Sequence, residues 1–94
     1  MVAVSFELRY HPDVKSIDIP PLDAKLRARI RKAIETRLTE APHLYGEPLR
    51  KTLRGYWKLR VEDYRVIFRI GGKEVRILGV IHRKKAYEMI GRRL

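Results

Sequence analysis

The chain has 94 residues, 45% of them apolar, no cysteine, and 22 Lys and Arg against 11 Asp and Glu, for a formal net charge of +11. That length suits one compact domain over residues 1–94 with a single core, and the apolar share argues against disorder. Lack of cysteine excludes disulfides, thiolate metal sites and a cysteine nucleophile, and with neither a leader-like start nor a long apolar run the sequence reads as a soluble, cytoplasmic protein with no membrane partner.

Val2 to Tyr10 alternates, with Val4, Phe6 and Leu8 on one side and Ser5, Glu7 and Arg9 on the other, which predicts a first strand ended by His11-Pro12-Asp13. Asp13 to Ile17 has room for a short helical turn. Pro20-Pro21 stands where helices begin, and Leu22, Leu26, Ile30, Ile34 and Leu38 recur every four residues, with Ala33 on the same face. This predicts an amphipathic helix of about four or five turns, stopped at Ala41-Pro42. Pro42 to Arg54 reads as a loop.

Three strands are predicted next. Trp57, Leu59 and Val61 face one way in the first, Tyr64, Val66, Phe68 and Ile70 in the second, and Val75, Ile77, Gly79 and Ile81 in the third. The short links Glu62-Asp63 and Gly71-Gly72 make adjacent antiparallel hairpins the simplest connection. A short helical tail runs from about Lys84 to Ile90. Strand, helix, strand, strand, strand gives an α+β domain: a small antiparallel sheet packed in two layers on one main helix.

The charge is polarised along this order. Residues 1–49 carry eight basic and seven acidic side chains, whereas residues 50–94 carry fourteen and four. A half-chain so biased favours an anionic partner, either nucleic acid or an acidic protein. If Glu62-Asp63 is a two-residue turn, parity places Tyr56, Lys58, Arg60, Arg65, Ile67 and Arg69 on the face opposite the core, with Arg60 across from Arg65. Like charges in that relation are unfavourable without a counter-anion. The same parity adds Arg76, Leu78, Val80 and His82 from the next strand, and the chain leaves the sheet through Arg83, Lys84, Lys85 and Tyr87.

This set contains what metal-free RNA cleavage requires: a group to take the 2′-hydroxyl proton, charge to neutralise the phosphorane, and a proton for the leaving oxygen. Arg65 and Arg83 suit the phosphorane. Lys58 lies among guanidinium groups and is the candidate base for the 2′-hydroxyl proton. His82 or Tyr87 can supply or orient the second proton. Arg54, Tyr56, Arg60, Arg69, Arg76, Lys84 and Lys85 are candidates to hold RNA phosphates. Plainer readings stand beside these: Lys58 as a solvated charge, His82 as a structural hydrogen-bonding group, Tyr87 as a ring on the sheet edge. Trp57 and Phe68 read as core. His11 and His43 lack ligand spacing, so neither a metal nor another cofactor is expected.

The element order, with Leu53-Arg54-Gly55-Tyr56-Trp57-Lys58-Leu59-Arg60, Asp63-Tyr64-Arg65-Val66-Ile67-Phe68 and Val80-Ile81-His82-Arg83-Lys84-Lys85-Ala86-Tyr87, resembles the RelE/ParE toxins of type II toxin–antitoxin pairs over nearly the whole chain. The resemblance implies a small sheet with helices on one side and a concave working face. It also implies a ribosome-dependent endoribonuclease, or mRNA interferase, that cleaves messenger RNA in the A site. Lys58 would then be the base or transition-state lysine, Arg65 and Arg83 the phosphate stabilisers, and Tyr87 a group that stacks on or orients the nucleotide. Where RelE enzymes carry a second lysine this chain has Tyr56, and it lacks the His-Tyr ending of the YoeB type, which relies on a Glu base. The implied partners are the ribosome with its mRNA and an acidic cognate antitoxin. ParE-like inhibition of DNA gyrase, without nuclease activity, is the alternative, and Arg54-Gly55-Tyr56 only superficially opens like an RRM signature.

Overall fold

The computed structural model describes residues 5–50 and 53–94, so the expected strand positions Val2 and Val4 lie outside the described residues. The elements are β1 (Glu7–Tyr10), α1 (Ala24–Ala33), α2 (Pro42–Tyr45), β2 (Glu47–Pro48), β3 (Tyr56–Val61), β4 (Tyr64–Gly71), β5 (Glu74–His82) and α3 (Ala86–Arg93). A π-helical turn, Val14–Asp18, precedes α1, and a second, Ile34–Leu38, extends it.

Local chemistry explains these boundaries. The Asp23 side chain caps α1 by accepting the Leu26 N–H at 2.8 Å. Past Ala33 the helix widens where Thr36 and Thr39 turn their hydroxyls back onto the Lys32 and Glu35 carbonyls, each at 2.7 Å. Such back-bonding competes with the regular ladder. Pro42 cannot continue that helix but suits the first turn of α2. Gly46 then lets the chain pass over the core, because a Cβ there would lie 2.5 Å from Phe68 Cζ.

The strand order is β1-β5-β4-β3-β2. The two predicted hairpins are present, and the Glu62-Asp63 turn sets Arg60 opposite Arg65 as parity requires. Glu62 adopts a φ of 55° to make it, held by an ion pair with Arg29. The α+β order is as expected, and three details differ. β1 joins β5 in parallel, which makes the sheet mixed. The segment read as a loop contributes α2 and the edge strand β2, whose Pro48 is tolerated at an edge. The outer face is also partly covered.

The main core lies between the α1 side and one sheet face: Val14, Leu22, Ile30, Ile34 and Leu38 against Leu59, Val66, Phe68, Val75, Ile77 and Val80. On the other face Leu49, Leu53, Ile67, Ile81, Ala86 and Ile90 form a second cluster beneath α3. Ile67 is the reason: an isoleucine on an open cationic face is worth about 1.5–3 kcal/mol once covered.

A β-bulge sets the phase of this second layer. Phe68 pairs with Ile77 but Ile67 pairs with Gly79, leaving Leu78 as the extra residue. Beyond it Val80 and His82 turn to the main-core face and Gly79 and Ile81 to the outer one, the reverse of the parity expected for them. The side chains of Asp18 and Arg93 serve the polar groups at the bulge. Asp18 Oδ2 accepts the Val80 N–H at 2.9 Å, and Arg93 Nη1 donates to the Leu78 carbonyl at 3.0 Å. Among the described residues no helix is long and apolar enough to cross a membrane.

Candidate functional site

Lys58 points from the middle of β3 onto the outer face, in register with Glu47 on β2. Its Nζ stands 3.5 Å from Tyr87 Oη and 5.9 Å from the centre of that ring. Tyr87 sits on the first turn of α3 and is 57% exposed, so the phenol is open to a ligand. Glu47, Arg50, Lys58 and Tyr87 line one groove of about 870 Å³ whose floor and walls include Leu49, Leu53, Gly91 and Leu94. A carboxylate, an ammonium, a guanidinium and a phenol therefore converge on one apolar-walled space.

Of the residues singled out from sequence, Lys58 and Tyr87 are brought together. Arg65 is a diagonal neighbour of Lys58 on the same face, a backbone separation of roughly 7–8 Å that long side chains span. Its Nη1 donates to the Glu62 and Tyr64 carbonyls at 3.0 and 2.9 Å, which ties it to the β3–β4 turn. Arg83 is at the same turn, with Nε 3.6 Å from Asp63 Oδ1. Exposed Arg60 lies between this turn and Lys58. Arg54 is exposed in the turn entering β3, where Gly55 takes a φ of 94°. Lys84 and Lys85 are exposed between β5 and α3.

His82 does not join the set. The bulge puts it opposite Tyr64, its ring 5.4 Å from that ring, and its Nδ1 accepts the Lys84 N–H at 3.2 Å. Val80, expected on the outer face, is in the main core, and Ile81, expected in that core, is in the second cluster. Tyr56, Arg69 and Arg76 keep the expected face but lie on the side of Lys58 away from the β3–β4 turn, Arg69 being its other diagonal neighbour, 5.6 Å over the Tyr56 ring. Trp57 and Phe68 stack at 6.4 Å on the core side.

Glu47 and Arg50 are the groove residues that sequence reasoning missed. One signal was present: Glu47 is the only carboxylate between Glu40 and Glu62, immediately ahead of the cationic hairpin. Among the described residues no group of three or more His, Cys, Asp or Glu side chains is placed to share a metal ion.

A family model described as the ParE toxin of type II toxin–antitoxin systems, parDE, matches residues 9–87. No curated protein matches the sequence. Among solved structures, a chain of the RelBE2 toxin–antitoxin complex from Mycobacterium tuberculosis is similar with a TM-score of 0.78 and 29% identity, over 85% of this chain and 100% of that one. A chain of the RelB–RelE antitoxin–toxin complex from Methanococcus jannaschii superposes with a TM-score of 0.66 at 22% identity, over 86% and 96% of the two chains. One from the chromosomal ParDE system of Pseudomonas aeruginosa does so with 0.64 at 17%, over 85% and 98%. The last two likenesses are of fold alone.

Proposed function

The chain belongs to the ParE/RelE toxin superfamily of type II toxin–antitoxin systems, and we propose that it is an endoribonuclease that cleaves messenger RNA in the ribosomal A site, in the cytoplasm. The observation that carries this reading is the 3.5 Å approach of Lys58 Nζ to Tyr87 Oη in a groove that also holds Glu47. A gyrase inhibitor needs no such convergence.

In the proposed reaction the Glu47 carboxylate takes the 2′-hydroxyl proton as the 2′-oxygen bonds to the adjacent phosphorus. With Glu47 in register beside it, Lys58 takes the acid's role and not the base's expected from sequence: the bond from phosphorus to the 5′-oxygen breaks, and that oxygen receives a proton from the Lys58 ammonium, directly or through the Tyr87 hydroxyl. The products are a 2′,3′-cyclic phosphate and a 5′-hydroxyl. Arg60, Arg65 and Arg83 neutralise the charge that builds on the phosphorane, where preorganised cations act most strongly. For Arg65, which is half-buried, and for exposed Arg83 this means leaving the turn groups they hold now. Tyr87 stacks on or orients the nucleotide, and Arg54, Lys84 and Lys85 hold flanking phosphates. The partner that restrains the toxin is a small antitoxin with a flexible acidic segment, matched to the +10 of residues 50–94.

The ParE description of the matching family model favours a second reading, inhibition of DNA gyrase. Expression of the wild type and of Arg65→Ala in cells, followed by mapping of mRNA 5′ ends on ribosomes, separates the two. Codon-phased cuts that vanish in the variant support the nuclease. Intact messages with inhibited supercoiling overturn it.

A further inference from the structure

One residue from each of four strands forms a row across the outer face, at the end away from the β3–β4 turn. Arg9 pairs in register with Arg76, Arg76 with Arg69, and Arg69 with Tyr56. Like charges opposite one another on adjacent strands are destabilising unless something anionic lies between them. The three arginines line a groove of about 570 Å³ in which Glu74 is the one carboxylate among the described residues. Glu74 is divided between Arg76, at 3.1 Å, and Arg9, at 3.6 Å, and Arg9 also meets Glu7 at 3.4 Å. Arg69 makes no ion pair among the described residues and lies over the Tyr56 ring.

We propose that this arginine ladder is a second RNA site, which holds the phosphates of the message strand leading away from the scissile nucleotide. The inference rests on the nuclease reading of the Lys58 groove. Tyr56 is two residues from Lys58 on the same face of β3, roughly 7 Å along the strand, so RNA seated in that groove runs onto the ladder without leaving the sheet. The Tyr56 ring offers a base a stacking surface beside the guanidinium groups. An acidic peptide fits less well, because the row crosses the sheet and only Arg9 stands on an edge strand, β1, so strand addition there would reach one of its four members.

The test is equilibrium binding of fluorescent single-stranded RNAs of three and twelve nucleotides to the wild type, to Arg69→Gln, and to the combined Arg9→Gln, Arg69→Gln, Arg76→Gln variant. The side chains of Arg9 and Arg76 are 59% and 71% exposed, so the fold survives these changes. The triple variant should lose on the order of tenfold in affinity for the longer RNA and about 2 in the slope of log affinity against log salt, from about 0.7 per phosphate contact. Trinucleotide binding should not change, and Arg69→Gln should show a fraction of the same loss. Unchanged affinity and slope in both variants overturn the proposal. So does unchanged RNA binding with lost affinity for a polyglutamate peptide, which would make the ladder a protein-docking surface. Cleavage of ribosome-bound message by the wild type is scored in parallel. If cleavage is absent while ladder-dependent RNA binding persists, the nuclease reading fails and the RNA site stands.

Discussion

Arg93 and Asp18 meet in a bidentate ion pair, Nη1–Oδ2 and Nη2–Oδ1 both 2.7 Å, that joins the last turn of α3 to the segment before α1. Both side chains are 5% exposed. The hydrogen bond to Asp18 holds the Arg93 guanidinium above its usual range despite burial. Because the pair also serves the Leu78 carbonyl and Val80 N–H, it fixes α3 over the bulge and thereby sets where Tyr87 stands. Arg93→Ala leaves a buried carboxylate unpaired and should cost about 3–5 kcal/mol in chemical denaturation. Faster amide exchange throughout α3 should accompany the loss.

The same junction explains Gly79. A Cβ there would lie 2.7 Å from Ile81 Cδ1, 3.0 Å from Arg93 Nη1 and 3.1 Å from Ile90 Cδ1. Gly79→Ala should therefore destabilise the protein by about 1–3 kcal/mol, the range for overpacking a tight contact. A thermal melt that matches the wild type would show that α3 shifts at no cost.

What the sequence made legible follows from where its patterns are unambiguous. The two-residue turn at Glu62-Asp63 fixes the β3–β4 register, so the faces of Lys58, Arg60, Arg65 and Arg69 follow from parity alone. From Ile77 to Ile81 the chain is apolar on both parities, apart from Gly79, so no alternation marks the bulge at Leu78 and His82 falls on the unexpected face. β2 is two residues long, too short for any period, which hid Glu47. The pairing of β1 with β5 is a tertiary choice between strands whose partners, such as Glu7 and Glu74, are far apart in sequence, and hydrophobic pattern does not encode a partner.

Tyr10 gives a pH prediction. Burial first, then the Glu35 carboxylate, raises its phenol above the ordinary 10.0. Its neutral form is thus favoured in the folded state. That contribution is fully present below about pH 10 and is lost as pH rises through the folded value. The stability of the wild type should fall more steeply above pH 10 than that of Tyr10→Phe in parallel denaturant titrations. Equal slopes would remove Tyr10 from the alkaline transition.

In the groove, Glu47→Gln and Lys58→Ala should each lower cleavage by about 10²–10⁴-fold, the usual contribution of a positioned acid or base. Neither should change the melting temperature noticeably, because Glu47 is exposed and Lys58 half-buried. Tyr87→Phe combined with Lys58→Ala should cost less than the sum of the two, since each acts through the other. Additive losses, measured by single-turnover kinetics, would mean independent roles.

The most direct test is single-turnover cleavage of a message on purified, programmed ribosomes, with analysis of the RNA ends. The wild type should cut at the A-site codon and leave a 2′,3′-cyclic phosphate and a 5′-hydroxyl, and Glu47→Gln and Lys58→Ala should not. A message left intact by the wild type, or cut equally well by both variants, would contradict the assignment of this groove as the site of cleavage.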